Sequence, residues 1–463
     1  MKKIILFVAF ATATFTSYSQ ALGYEDLAIL FSQNDGNGSA RFVAMSGAFG
    51  ALGGDVSSIT VNPAGISVFT GESQVSAAFS SRNTDYLTTY YGNSINTNED
   101  YFNISNAGAT FSFHDTGRND WNRTAIGVNY RTLVDFSNTF IANGNSGFAS
   151  FDNFPLDNST TPIVYNLAEN QQFTNIYDGD ISELSLAVSG VYQRNLHVGV
   201  GLNFYDISFS QRATLREVNN DGNGNTLDAR FYQENFTNGT GFSLSAGFIY
   251  RLSNFFRIGA SYQSPTWFTE IIEDTNIVNN DGFLGDTEII VSNDNVIYDN
   301  TVGGNLPIQS LIYKLRTPSK FTLSTALVFG KVGLISLDIS SKNYQGLNLS
   351  GDDFSAENSF FDTELRNTKS LNVGTEWRLS RLSLRAGLKF EESPDANALN
   401  SDNLEGYSLG LGYNFGNVKF DLAYSNSSRT GVYNFYPQYP SQVSPADLSI
   451  DNTMITAGVS INL

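Results

Sequence analysis

The sequence predicts an all-β fold: a transmembrane antiparallel β-barrel of about fourteen strands, with an N-terminal plug, or hatch, filling its lumen. Three observations predict it. After Gly71 the chain breaks into about fourteen segments that alternate with period two, each near the ~10 residues that a tilted spanning strand needs. Charges within those segments (Arg251, Arg257, Lys320, Asp338, Lys342, Glu376, Arg378, Arg385, Lys389, Lys419 and Asp421) all take the parity opposite to the apolar side chains. A single Arg or Lys facing lipid at the midplane would cost ~2–4 kcal/mol, so a shared inner face is the economical arrangement. Finally, short turns alternate with long polar loops, as they do in outer-membrane barrels.

The chain begins with the three parts of a secretory signal over residues 1–19. Lys2 and Lys3 give the positive start, Ile4 to Ala13 the apolar segment, and Ser17-Tyr18-Ser19 a small-x-small cleavage site. The apolar part is too short to span a bilayer, which takes ~20 residues. Of 26 basic and 45 acidic residues, removing Lys2 and Lys3 leaves 24 − 45 = −21. So acidic a chain is no nucleic-acid binder, because phosphate backbones are held by clustered Lys and Arg. With no cysteine, no disulfide framework is available, and stability rests on hydrogen bonds and packing. Past the signal there is no run of eighteen apolar residues, which excludes helical spans but not alternating strands.

Residues 20–70 form the second unit. Its centre, Gly38 to Gly65, reads GSARFVAMSGAFGALGGDVSSITVNPAG. The stretch is rich in small side chains and nearly uncharged after Arg41. Glycines kink it, and it cannot bury a core of its own, so it reads as a plug inside the cylinder made by residues 71–463. Pro63 fixes its backbone and lacks a donor. The Asn62 side chain can bond nearby backbone and hold a turn before the first strand.

The strands follow. Val75, Ala77 and Phe79 mark the first, and Ala107, Ala109, Phe111 and Phe113 the second. Later segments are cleaner, as in Leu382, Leu384, Ala386, Leu388 and Phe390, or Tyr407, Leu409, Leu411 and Tyr413. Short turns are expected at Thr116-Gly117-Arg118-Asn119, Arg194-Asn195, Ser253-Asn254, Gly330-Lys331, Ser380-Arg381 and Gly416-Asn417. Long loops are expected at Asp135–Asp180, Gln211–Thr237, Glu270–Ser310, Gly346–Leu365 and Thr430–Leu448. An even strand count puts both termini on the periplasmic side, where the plug enters. Trp121, Trp267 and Trp377 fall toward segment ends, as an interfacial girdle would. The chain ends in Leu463, where outer-membrane barrels usually carry Phe.

The hatch stretch resembles that of the FadL/TodX (OMPP1) family of outer-membrane transporters for hydrophobic compounds. The likeness rests on Gly38 and Arg41, the small run Ser46-Gly47-Ala48, Asp55, and Asn62-Pro63-Ala64 followed by Gly65. It implies a hatch built on Arg41, Gly47, Gly53, Gly54 and Asp55, anchored by Asn62, Pro63, Ala64 and Gly65. It also implies passive uptake of long-chain fatty acids or aromatic hydrocarbons: capture among the loops, transfer to an inner pocket, release as the hatch shifts, and exit through a gap in the wall. Candidate ligand contacts are Phe42, Met45, Phe49 and Leu52, with Arg131 and Arg316 of inward parity for a carboxylate head. Ser264-Pro265 is a candidate wall gap, because Pro cannot donate to the ladder.

Other chemistry finds little footing. His114 and His197 are the only histidines, both at the periplasmic ends of strands, and there is no cysteine. No catalytic group and no cofactor are expected. Gly50-x-x-Gly53-Gly54 lacks the lysine of a phosphate loop. Asn34–Gly38, Asn220–Asn225 with Asp228, and Asn280–Gly282 with Asp286 cluster oxygen side chains as Ca²⁺ loops do, but none carries the terminal bidentate Glu. Such turns need no metal, so no metal is expected. The expected partners are a hydrophobic small molecule and outer-membrane lipid or lipopolysaccharide, with the protein a monomer. The alternatives are a polar porin, a haem or amphiphile carrier, and a non-transporting surface adhesin.

Overall fold

Alternation closes the chain into a cylinder. The computed structural model describes residues 21–69, 73–114, 120–154, 163–276, 286–291, 297–298, 309–437 and 439–463. The signal segment, the turn at Thr116–Asn119 and the Asn280–Gly282 loop lie outside the described residues. The staves are β1 (Ser73–Tyr90), β2 (Asn93–His114), β3 (Trp121–Asp135, then Asn138–Gly144), β4 (Leu167–Tyr192), β5 (Leu196–Asn220) and β6 (Thr226–Arg251). Next come β7 (Phe256–Gln263, then Trp267–Asn276), β8 (Gln309–Arg316, then Lys320–Phe329), β9 (Gly333–Lys342) and β10 (Thr368–Leu379). The last are β11 (Leu382–Glu391), β12 (Leu404–Asn414), β13 (Val418–Tyr433) and β14 (Ala446–Asn462). Each stave pairs antiparallel with its neighbours, and β14 closes on β1 from Gln74↔Asn462 to Thr89↔Asp447. Closure leaves no sheet edge unpaired, which is what a backbone in hydrocarbon requires.

The two faces divide as the parity predicts. Leu411 and Leu422 are 52% and 49% exposed on the outside, whereas Ser408 and Ala423 beside them are 2% and 1% exposed. Asp338, Glu376 and Arg385 are buried inside. Trp121 and Trp377 stand outward at the short-turn end.

Two expectations need correction. Much of Asp135–Asp180 and Gln211–Thr237 is strand rather than loop: β4 and β6 are 26 residues long, and the β5–β6 connection is only five residues. Polar Asn, Thr, Gln and Arg keep the period of two, so the hairpin ladder runs on past the membrane. At ~3.3 Å per residue, such strands are far longer than the ~30 Å hydrocarbon layer. The second correction concerns Arg316, which lies on the outward parity with Ile312 and Lys314. The break at Thr317-Pro318-Ser319 shifts the alternation before Lys320 resumes it, so parity carried back across that break points the wrong way.

Residues 21–69 sit inside the cylinder. They comprise α1 (Tyr24–Leu30), α2 (Ala40–Val43) and 3₁₀ turns at Val56–Thr60 and Pro63–Val68. Wall glycines admit the hatch backbone directly. A Cβ on Gly374 would lie 2.7 Å from the Met45 carbonyl oxygen, and one on Gly199 would lie 2.5 Å from the Ala64 nitrogen.

Candidate ligand-binding site

Local hydrogen bonds build the lower hatch. The Ser39 hydroxyl donates to the Asp55 carboxylate at 2.8 Å and accepts from the Phe42 amide, capping α2. Asp55 in turn accepts from the Ser57 amide and caps the next turn. Gly53 and Gly54 have φ of +58° and +70°, and the Gly54 amide donates to the Gly65 carbonyl. A side chain at Gly53 would strike Gly65, so glycine is the residue this turn admits. Gly47 also has positive φ, against the Phe42 ring. The Asn62 amide donates to the carbonyls of Gly50 (2.8 Å) and Phe248 (3.0 Å), tying the hatch coil to β6, while its oxygen accepts from the Ala64 amide.

Charge fixes the hatch more firmly. Arg41 donates to Glu376 at 2.7 Å and to the Gly54 carbonyl at 3.0 Å, with its guanidinium 5.1 Å from the Phe49 ring centroid. Glu376 also takes Arg385 and Arg378, and Arg385 reaches Asp421 at 2.6 Å. A buried carboxylate is tolerated only when its lone pairs are satisfied in this way.

The candidate ligand contacts of the hatch have a different role. Phe42, Met45, Phe49 and Leu52 pack with Ala51, Ala326 and Leu334 into a closed cluster in the short-turn half. They seal the lumen. The large aromatic tract lies above them, where the sequence gives no expectation of one. There Leu27, Ala28 and Phe31 of the hatch meet Tyr86, Phe136, Phe140, Phe173, Tyr177, Phe209 and Tyr433. Phe31 stacks edge-on against Phe136 and Phe209 at 5.8 and 5.6 Å. Most of these rings belong to segments expected as loops, and their inward parity within a polar alternation is the signal that marks them. The hatch's first residues are held in this half by the Ala21 and Leu22 amides, which donate to Gln233 and Gln211. Asp26 accepts no hydrogen bond among the described residues and keeps accessible surface, yet it stands among buried tyrosines. Burial of its surroundings pushes its carboxyl up to about 6.

Cations lie between the aromatic tract and the seal. Arg131 is engaged: it pairs with buried Glu183 and reaches the Asn37 carbonyl at 3.4 Å. Arg316 donates to the Gly346 carbonyl on the outer parity. The inward groups are instead Lys320, Lys342 and Lys389. Lys342 pairs with Glu391 at 3.0 Å, while Lys320, opposite Lys342 in the ladder, and Lys389 make no ion pair among the described residues.

The wall itself has a seam. β2 pairs with β3 only from Asn106↔Arg131 to His114↔Arg123, and the upper part of β3 pairs with β4. The backbone freed at the β3 break is taken by the hatch. The Asp35 amide donates to Leu133 O at 3.0 Å, Asp35 Oδ2 accepts from the Asp135 amide at 2.9 Å, and the Asn37 side chain donates to Thr132 O at 3.0 Å. Arg82 bridges Asp35 and Asp135. Ser264-Pro265 is no gap. The Ser264 amide donates to Leu244 O, its hydroxyl accepts from the Leu244 amide, and Thr266 exchanges two bonds with Thr317, so the ladder runs across the proline.

The model of the outer membrane protein transport protein family (OMPP1/FadL/TodX) matches residues 27–433. The chain belongs to that family. It is therefore an outer-membrane β-barrel channel for hydrophobic compounds rather than an enzyme. The FadL homologue of Pseudomonas aeruginosa superposes with a TM-score of 0.56 at 12% identity, covering 93% of this chain and 99% of that one. The toluene transporter TodX of Pseudomonas putida gives 0.53 at 13%, covering 93% and 100%. A monoaromatic hydrocarbon channel, CymD, gives 0.56 at 12%, covering 93% and 99%. At these identities the likeness is one of fold. No curated protein sequence matched the chain significantly.

The remaining polar groups of this FadL-family barrel are structural. His197 Nδ1 lies 2.9 Å from the Ser67 hydroxyl, which Ser189 also contacts, and no carboxylate joins them to make a nucleophile. Asp221 accepts from Asn223 and Asn225, so the loop with a Ca²⁺-like oxygen pattern is closed by its own side chains. Among the described residues no cluster of three acidic or histidine side chains is placed to hold a metal.

Proposed function

We propose that the protein passes long-chain acids, and apolar molecules that need no head-group contact, from the cell surface into the outer membrane. The reading rests on one observation. An aromatic tract leads down to two unpaired lysines, Lys320 and Lys389, above a sealed hatch. An acyl chain that buries roughly ten methylenes at ~0.8 kcal/mol each gains ~8 kcal/mol, which is about micromolar binding. A carboxylate head would meet the two ammonium groups. Aromatic hydrocarbons, the cargo named for TodX and CymD, would occupy the rings alone. Release follows the seam: moving Asp35 and Asn37 away from β3 frees the wall at the hydrocarbon level. The closed ladder supports a monomer set in lipid and lipopolysaccharide, made after cleavage behind Ser19.

Uptake into liposomes tests the reading. Lys320→Gln/Lys389→Gln is expected to slow labelled palmitate uptake about tenfold, the loss of one charged contact, and to leave toluene uptake unchanged. Equal loss of both would refute the head-group assignment. Free passage of polar solutes would indicate a porin, and transport of neither ligand an adhesin.

A further inference from the structure

At the short-turn end, between the hatch and the wall, lies a cavity of about 420 Å³. Arg41, Gly54 and Asp55 line its hatch side, and Arg378, Arg381 and Lys419 line its wall side. Arg257 and Arg385 also face it, which makes six cations against the three acids Asp55, Glu376 and Asp421. The acids are committed. Asp55 is held by Ser39 and Ser57, Glu376 by three arginines, and Asp421 by Arg385. Arg257 donates to the Leu52 carbonyl. Lys419 and Arg381 are left without a side-chain partner among the described residues, on the rim of a half-enclosed space with positive surplus. Like charges confined beside low-dielectric walls raise the local potential and draw a counter-ion, and guanidinium forks suit carboxylate and phosphate oxygens. Part of the lining is apolar: Leu52, Val68, Val328 and Val459.

We propose that this vestibule is an anion-binding site for a carboxylate or phosphate group carried on a small apolar body, with Lys419 and Arg381 as its recognition groups. It is distinct from the lysines proposed to meet a carboxylate head. Lys320 opens the lower half of β8, and the vestibule lies at that strand's other end, ten residues or ~30 Å away. The anion's source is either a free molecule on the periplasmic side or the head group of a lipid in the adjacent leaflet. The site does not depend on what the barrel transports.

Calorimetry on detergent-purified full-length protein tests it, with inorganic phosphate and hexanoate as probes. Both are expected to bind, and Lys419→Gln/Arg381→Gln is expected to weaken them at least tenfold, since each charged contact is worth about 1.5–3 kcal/mol. Neither side chain has a partner to lose, and Lys419→Arg should retain binding, which controls for misfolding. Lys320→Gln/Lys389→Gln should leave phosphate binding unchanged. In nanodiscs, added phosphatidylglycerol competes with phosphate if the occupant is a lipid head group and does not if it is a free anion. Absence of binding by either probe, or binding that survives the double variant, overturns the proposal.

Discussion

Individual side chains do two kinds of work in the lumen, and Glu376 and Asp26 represent them. Glu376 is satisfied by three arginines and locks Arg41 of the hatch to the wall. Asp26 has no such partner and carries a carboxyl held near 6. Its folded value exceeds the usual 3.8, so the docked hatch binds the proton more tightly than the free chain does. Docking is therefore unpenalised below about pH 4, loses ground as pH rises toward 6, and is flat above that. Asp26→Asn is expected to slow hydrogen exchange of Tyr24–Leu30 at pH 7.5 and to leave it unchanged at pH 4. An equal effect at both values would show that Asp26 does not titrate in this range.

At the scale of elements, the hatch and the staves fit by omission of side chains. A Cβ on Gly259 of β7 would lie 2.6 Å from Gly50 O and 3.3 Å from the Ala51 Cα, both backbone atoms that cannot turn aside. Gly259→Val is accordingly expected to leave the barrel folded but loosen hatch docking by about 1–3 kcal/mol, the usual cost of overpacking. Limited proteolysis cutting near Gly50 in the variant and not in the wild type would show it. This complementarity is half legible in the sequence. The small-residue run announces close packing, and charge parity fixes the inner face of most strands. Arg316 escapes that parity because a strand break resets it without leaving a periodic trace. The aromatic tract stays hidden because Phe140, Phe173 and Phe209 sit among polar residues whose period of two continues outside the membrane. Phe42 and Phe49 are ambiguous for a related reason: bulk in a plug marks contact with something, and sequence alone does not distinguish wall from ligand.

For the molecule as a whole, the seam and the hatch form one device. The break in β3 leaves carbonyls and an amide without ladder partners, and unsatisfied backbone in hydrocarbon costs several kcal/mol per group. Hatch residues Asp35 and Asn37 satisfy those groups. The wall is thus complete only while the hatch is docked, and departure of the hatch exposes a polar opening that a passing solute or water must fill. A covalent tie should therefore stop release without disturbing binding. The chain has no native cysteine, so Asn37→Cys/Thr132→Cys introduces the only thiols. Joined by a short bis-thiol-reactive linker, the variant is expected to bind palmitate in detergent with unchanged affinity. Transfer of palmitate into liposomes is expected to fall by at least tenfold relative to the unlinked variant, and to recover when the linker is cleaved. Undiminished transfer through a linked hatch would mean that cargo leaves by a route that does not cross the β2–β3 seam.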